Sequence, residues 1–244
     1  MSELDVLEDD LKIASRILEW EIGDIWGHVG TRLPSGEGVT LKLFRRPEEA
    51  GVEDWIVRFD YAMNKISGVA RPPTEAAIYT EIFKARPDVN AIVHCHAPMC
   101  IALGLAGKKV DAVHMQSSHF AGGVPIFPKP IFIIDEAEGK ELADAMRKDD
   151  AIVITGHGVV LLGKSIDEVC IRTLYLERTA RIMAVAYGLG FQGLTDEFRK
   201  YMEGTKEKHR QYLNKVRGPR QYIAEWSYYK DKVRKGEWWN RGSV

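Results

Sequence analysis

Apolar residues recur at Leu7, Leu11, Ala14, Ile17, Leu18 and Ile22 of the segment LEDDLKIASRILEWEIGD, a spacing that lines one face of a helix. GDIWGHVGTRLPSGEG follows as a glycine-rich turn running into a short strand. VTLKLF and EDWIVRFD read as strands, with RRPEEAGV as the loop between them. PPTEAAIYTEIFKARPDV predicts a helix with Thr74 as its N-cap and Glu75 in the first turn. NAIVHCH is the next strand, and APMCIALGLAGK a short helix ending at glycine. DAVHMQSSHFAGGVPIFP and IFII are strand-like, and EAEGKELADAMRKDD is an amphipathic helix. AIVIT is a buried strand that breaks into GHG. SIDEVCIRTLYLERTARIMAVAYGLG is a long helix, opened by Ser165 with Glu168 three residues on as a capping box. Two polar stretches, 194–217 and 221–244, close the chain, and the second carries Trp226, Trp238 and Trp239. Strands interspersed with helices predict an α/β or α+β domain.

Composition narrows the class without naming a function. A length of 244 residues fits one large domain better than two. Apolar residues at 45% and charged residues at 28% are ordinary for a soluble globular protein. With Lys+Arg at 34 against Asp+Glu at 35, the net charge of -1 argues against a nucleic-acid or membrane-surface protein. No apolar run is long enough to span a bilayer. The acidic start MSELDVLEDDLK lacks the basic and apolar regions of a signal peptide. Cys95, Cys100 and Cys170 form no CxxC, which suits packing residues in a reducing compartment, so a cytoplasmic location is expected.

The candidate chemistry starts at AIVHCHAPMC. On a strand, side chains alternate faces, so His94 and His96 share one face while Cys95 points to the other. His157 sits between glycines in ITGHGVV at a strand mouth, where the backbone can approach a ligand closely. Three neutral imidazoles hold a borderline divalent metal and leave positions open for a substrate, and a nearby carboxylate such as Glu75 moves a proton. The bland reading stands beside this one. An HxH in an apolar strand also suits packed, hydrogen-bonded histidines, GHG also suits a plain turn, and Glu75 also suits a helix N-terminus favoured by the macrodipole.

Three blocks, GDIWGHVGTRLP, RPPTEAAIYTEIFKARPDVNAIVHCHAP and AIVITGHGVVLLGKSIDEVCIRTLYLERTARI, resemble the class II aldolase/adducin family over most of residues 7–190. The middle block joins a helix-start glutamate to HxH at the aldolase-like spacing. The family includes fuculose-phosphate aldolase, ribulose-phosphate epimerase, methylthioribulose-phosphate dehydratase and some decarboxylases. The resemblance implies a three-layer α/β/α fold with a largely antiparallel central sheet, residues 1–210 forming the aldolase-like domain and 211–244 an aromatic-rich extension of it. It implies a homotetramer with sites at subunit interfaces. It also implies His94, His96 and His157 as ligands of a divalent metal, zinc first with Mn, Fe or Co as alternatives, and Glu75 as acid/base. Such a metal, bound through two adjacent substrate oxygens, stabilises the enolate left when a C–C bond breaks or CO2 departs. Glu75 then handles the proton, best if partial burial raises its pKa towards the working pH.

The sequence departs from the sugar-phosphate aldolases where they hold phosphate. His28 and Gly30 stand in place of Asn and Ser in the first loop, and LKLFRRPEEAG replaces a Thr-Gly turn. Pro73 and Thr74 replace a Ser-Ser pair, removing an N–H donor and hydroxyls. The expected substrate is therefore a non-phosphorylated hydroxy- or oxo-carboxylic acid, with aromatic acids among the candidates. Substrate contacts are expected from His28, Thr74, Arg45 (paired with Arg46 as a carboxylate grip or a solvated loop pair), Gln116 and His119. The last two, with His114, are candidates to replace a tyrosine that in the aldolases reaches a neighbouring subunit's site. A GH in the first loop resembles the family's decarboxylases and prenylphenylpyruvate-oxygenase-like members and favours decarboxylation over retro-aldol cleavage. The alternatives are a sugar-phosphate aldolase, epimerase or dehydratase, an iron-dependent oxygenase, and a non-catalytic adducin-like protein.

Overall fold

The computed structural model describes residues 2–44, 55–217 and 222–236. Helix α1 (Glu3–Ile22) starts four residues before the predicted periodic face, because Ser2 and Asp5 close a capping box ahead of it. Then come β1 (His28–Arg32), β2 (Gly38–Leu43), β3 (Ile56–Asp60), β4 (Lys65–Gly68), α2 (Ala76–Ala85), β5 (Ala91–Cys95) and α3 (Pro98–Leu105). A 3-10 helix (Met115–Phe120), β6 (Ile126–Phe127), α4 (Glu136–Met146), β7 (Ala151–Ile154), β8 (Gly158–Gly163), α5 (Ile166–Gly188), α6 (Asp196–Arg217) and α7 (Ile223–Arg234) complete it. No helix among the described residues is long and apolar enough to cross a membrane.

The strands form one sheet in the order β4-β3-β2-β1-β5-β8-β7-β6, antiparallel at every pairing except β6 with β7. Alternation along the strands splits the core in two. Val93 and Cys95 of β5 face α1, α3 and α5, while Ile92 of β5 and Val160 and Leu162 of β8 face α2 and α4. The result is the three-layer arrangement with a largely antiparallel sheet. Cys95, Cys100 and Cys170 are all buried free thiols in the α1/α3/α5 layer, as expected of packing residues.

Several local expectations change, each for a visible reason. The stretch 111–128 contributes only Ile126–Phe127 as strand. Ser117 Oγ accepts from the backbone N–H groups of Val113 and His114 and curls the chain into the 3-10 helix instead of leaving them for a ladder. IFII, at 131–134, is no strand either: the Ile133 N–H goes to the Glu75 carboxylate and the Ile134 N–H to Glu138. Helix α2 stops at Ala85 rather than 89, since Arg86 precedes Pro87 and leaves the helical region, with φ -126° and ψ 79°. Its N-cap is Glu75, not Thr74. Ser165 makes no side-chain cap on α5, and Glu168 accepts from the Lys164 N–H instead of closing a box with Ser165. Strands β4 and β8 were not anticipated.

Candidate metal centre

The site forms where the end of β5 meets the start of β8. These strands pair antiparallel with His94 opposite Val160 and Cys95 opposite Val159, so the turn carrying His157 lies beside the HxH. The two glycines of GHG have separate jobs. Gly156 takes a left-handed φ of 65° in the turn. At Gly158 a Cβ would fall 2.5 Å from the Cys95 carbonyl oxygen, so only glycine lets the strands close at this point.

Each imidazole is held by its Nδ1. His94 Nδ1 donates to the Val159 carbonyl at 3.0 Å, and His157 Nδ1 to the Ile131 carbonyl at 2.7 Å. His96 Nδ1 donates to Asp24 Oδ2 at 2.9 Å. With Nδ1 so engaged, the neutral tautomer places its lone pair on Nε2. The three rings form a triangle with centroids 5.0, 5.2 and 5.4 Å apart. One ligand atom from each of them and from Glu75 lie within 4.8 Å of one another.

Glu75 closes the fourth side. Its Oε1 accepts from the Ile133 N–H at 3.0 Å, while Oε2 stands 3.2 Å from His94 Nε2 and 3.4 Å from His157 Nε2. Both Nε2 atoms are buried and make no hydrogen bond of good geometry. Two nitrogen lone pairs and a carboxylate oxygen converging on one buried point repel unless a positive charge sits among them. The donor set of three imidazoles and one carboxylate therefore fits a borderline divalent metal.

The ionisation behaviour follows the packing. Burial works to raise the Glu75 carboxyl, but the contacts with His157 and His94 outweigh it and hold the group well below the usual carboxylate range. The expectation of a Glu75 raised by burial is thus corrected: the imidazoles around it win. The two histidines sharing Oε2 move in opposite directions. Burial dominates at the wholly buried His94 and lowers it, whereas at His157 the pull of Glu75 exceeds the burial and raises it.

Asp24 escaped the sequence reading. Its Oδ2 accepts from both the His96 ring and the His96 backbone N–H, at 2.9 and 2.8 Å, and Oδ1 accepts from the Trp26 N–H. Burial opposes its charge, yet these hydrogen bonds hold it down at about 2. A carboxylate on the Nδ1–H of a ligand histidine fixes the ring and raises its basicity. Asp24→Ala is expected to weaken metal affinity by about 10- to 100-fold, read by chelator competition; unchanged affinity would remove Asp24 from the account. The sign on stability is also set. A carboxyl lowered from 3.8 to about 2 stabilises the fold above pH 3.8 and loses that contribution as the pH falls through 2, an effect of about 2 kcal/mol.

His28 lies opposite His94 across the β1–β5 ladder, with ring centroids 5.2 Å apart. Its Nδ1 donates to the Tyr79 hydroxyl at 2.8 Å, and that hydroxyl donates to the His28 carbonyl at 2.8 Å. Burial, then the neighbouring His94, hold the ring well below its usual pKa. The buried Tyr79 ring packs over Gly30, where a Cβ would meet Cε1 at 2.8 Å and Cδ1 at 2.9 Å. Any side chain at 30 collides with Tyr79. Gly30→Ala is expected to destabilise the fold by about 1–3 kcal/mol in urea unfolding, because the tyrosine is tethered at its hydroxyl and cannot swing away. An unchanged midpoint would show slack around Tyr79.

Other anticipated contacts are dispersed. Thr74 is exposed beside Glu75. Gln116 is exposed and accepts from His114 Nδ1, while His114 Nε2 meets Thr179 on α5. His119 packs against Phe120, Tyr175 and Tyr222. Gln116 and His119 therefore stand apart from the metal cluster of their own chain. Arg45 and Arg46 lie outside the described residues. Phe132, not anticipated, is exposed and sets its ring edge-on to His157 with centroids 5.3 Å apart, giving the site an aromatic wall.

The chain belongs to the Class II Aldolase and Adducin N-terminal domain family, whose model matches residues 20–184. It is 28% identical over 170 residues to 3,4-dihydroxyphthalate decarboxylase of Arthrobacter keyseri, covering 64% of this chain and 68% of that one. It is 32% identical over 134 residues to L-fuculose phosphate aldolase of Methanocaldococcus jannaschii, covering 53% and 69%. Both relatives are lyases by name. The fold matches a solved aldolase II superfamily protein from Pseudomonas syringae with a TM-score of 0.80 at 19% identity, over 97% of this chain and 96% of that one.

Proposed function

We propose that this protein is a divalent-metal-dependent lyase that decarboxylates a non-phosphorylated hydroxy acid, an aromatic one in the leading form. The observation that carries it is the convergence of three Nδ1-anchored imidazoles and Glu75 on one point within 4.8 Å. His94, His96 and His157 would hold a divalent metal, which would supply Lewis acidity to the bound substrate. Similarity to 3,4-dihydroxyphthalate decarboxylases supports an aromatic substrate, as does the exposed Phe132 ring beside His157. Tyr79, packed over Gly30 and tied to His28, fills space beside the first loop that the sugar-phosphate aldolases use for phosphate.

The proton path belongs to the protein. Glu75, held as the carboxylate, takes the proton from a substrate hydroxyl entering the cluster. The C–C bond to the carboxyl breaks, CO2 leaves with no net charge, and the bonding pair stays on the ring carbon. Glu75 then delivers its proton to that carbon and returns to the carboxylate. The Ile133 N–H keeps its other oxygen fixed throughout.

Sugar-phosphate aldol cleavage is the second reading, favoured by the fuculose phosphate aldolase relatives. A screen of dihydroxyphthalates and other hydroxybenzoates for CO2 release, run beside fuculose 1-phosphate for aldehyde release, separates the two. CO2 from an aromatic hydroxy acid is the expected result, and efficient cleavage of the sugar phosphate alone would overturn the substrate assignment. The homotetramer belongs to the same reading, and light scattering tests it against the chain mass of 27.6 kDa.

A further inference from the structure

The contact between His28 and Tyr79 fixes which nitrogen of a buried imidazole carries its proton. Tyr79 is fully enclosed, and burial raises its phenol well above the usual range, so the hydroxyl keeps its single proton. That hydroxyl makes two contacts of 2.8 Å, one with the His28 carbonyl oxygen and one with His28 Nδ1. A carbonyl can only accept, so the phenol proton goes there and the phenol oxygen must accept from Nδ1–H. The His28 ring is 3% exposed, and no carboxylate of the described residues is hydrogen-bonded to it. A second proton would leave a buried cation without a partner. His28 is therefore the Nδ1–H tautomer, with a lone pair on Nε2.

This lone pair differs from those of the metal cluster. His28 stands opposite His94, and Gly30 opposite Ile92, so both rings rise from the face of the sheet that α2 covers, with centroids 5.2 Å apart. Yet His28 lies outside the group of ligand atoms that gather within 4.8 Å, so its Nε2 is not a fourth imidazole ligand. That atom has no hydrogen-bond partner among the described residues, and it is not sealed in as the Nε2 atoms of His94 and His157 are. An acceptor left open beside a metal centre takes a donor from the molecule that binds there. A carboxylate or phosphate at this point would set oxygen lone pairs against the ring's own, with no N–H to meet them. A hydroxyl brings the proton that is lacking.

We propose that His28 determines specificity by accepting, at Nε2, a hydrogen bond from a protonated substrate hydroxyl, and that Tyr79 sets this preference by locking the tautomer. The inference rests on the lyase reading and narrows it: the substrate carries a hydroxyl at this corner of the centre and its anionic groups elsewhere. Tyr79 touches no substrate; it is a positioning residue that acts through His28. Without its hydroxyl, nothing holds the proton on Nδ1, and the Nε2–H tautomer, a donor, becomes available.

Calorimetry with the zinc-loaded full-length protein tests this, using 3,4-dihydroxybenzoate and its two monomethyl ethers as probes. Methylation turns a donor into an acceptor while keeping the ring and the carboxylate. Wild type is expected to prefer the dihydroxy acid over the weaker ether. That preference should shrink by about tenfold in His28→Phe and by a smaller factor in Tyr79→Phe. Losses from probe size or metal ligation are common to the three proteins and cancel in the ratio. A purely structural Tyr79 would lower stability and leave the ratio alone. Nitrogen-15 NMR of the wild type supplies a second measurement, in which His28 Nε2 should carry no proton; it carries the test with Tyr79→Phe if His28→Phe does not fold. The proposal is overturned if Nε2 is protonated, if the ratio is unchanged in every folded variant, or if none of the probes binds. An unchanged ratio alongside zinc-dependent binding removes the role of His28 and leaves the lyase reading standing, since CO2 release in the substrate screen reads that separately.

Discussion

Glu75→Gln is expected to keep its metal and lose turnover by about 10²- to 10⁴-fold, the range for removing a positioned general acid–base. The substitution preserves shape, and the amide oxygen can still accept from the Ile133 N–H that holds Oε1. What disappears is the basic oxygen 3.2 and 3.4 Å from the two buried imidazole nitrogens, the atom that would take up and return the proton. Metal content measured beside steady-state rates separates the roles. Wild-type turnover would refute Glu75 as acid/base, and loss of metal together with activity would make it a ligand instead.

His94→Ala is expected to have the other large effect. His94 is wholly buried, its Nδ1 is spent on the Val159 carbonyl, and its Nε2 has nowhere to go but the cluster. Removing it leaves two imidazoles, fewer than a stable catalytic zinc site uses. Metal content should fall from one per chain to near none, with activity falling alike. The stability readout is independent of activity. Zinc at about 100 times its Kd should stabilise the wild type by about 2.7 kcal/mol and His94→Ala by almost nothing. Equal stabilisation of both proteins would place the metal elsewhere.

The parts of the centre that could be read in the sequence were those set by local geometry. Strand alternation put His94 and His96 on one face and Cys95 on the other, and the structure has that arrangement, with Cys95 in the opposite core. Glycines at 156 and 158 suggested a backbone that approaches a ligand closely; the close approach at Gly158 is instead to the neighbouring strand, its would-be Cβ lying 2.5 Å from the Cys95 carbonyl oxygen. Long-range contacts left no such trace. Asp24 reaches His96 across 72 residues, and Tyr79 reaches His28 across 51. Strand β8 was missed because GVVLLG is a short continuous apolar run, which period alone cannot assign. The segment 131–134 looked like a strand, but side-chain carboxylates of Glu75 and Glu138 took its N–H groups. The helix-start position of Glu75 was legible; the direction of its pKa was not, since that depends on how close His94 and His157 come.

The central claim is that a metal binds among three Nδ1-anchored imidazoles. Anomalous diffraction from crystals of the protein grown with zinc tests it most directly. The account predicts one strong peak per chain, about 2.0–2.1 Å from the Nε2 atoms of His94, His96 and His157. A protein that takes up zinc only at other residues, leaving those three nitrogens without a metal, would contradict it.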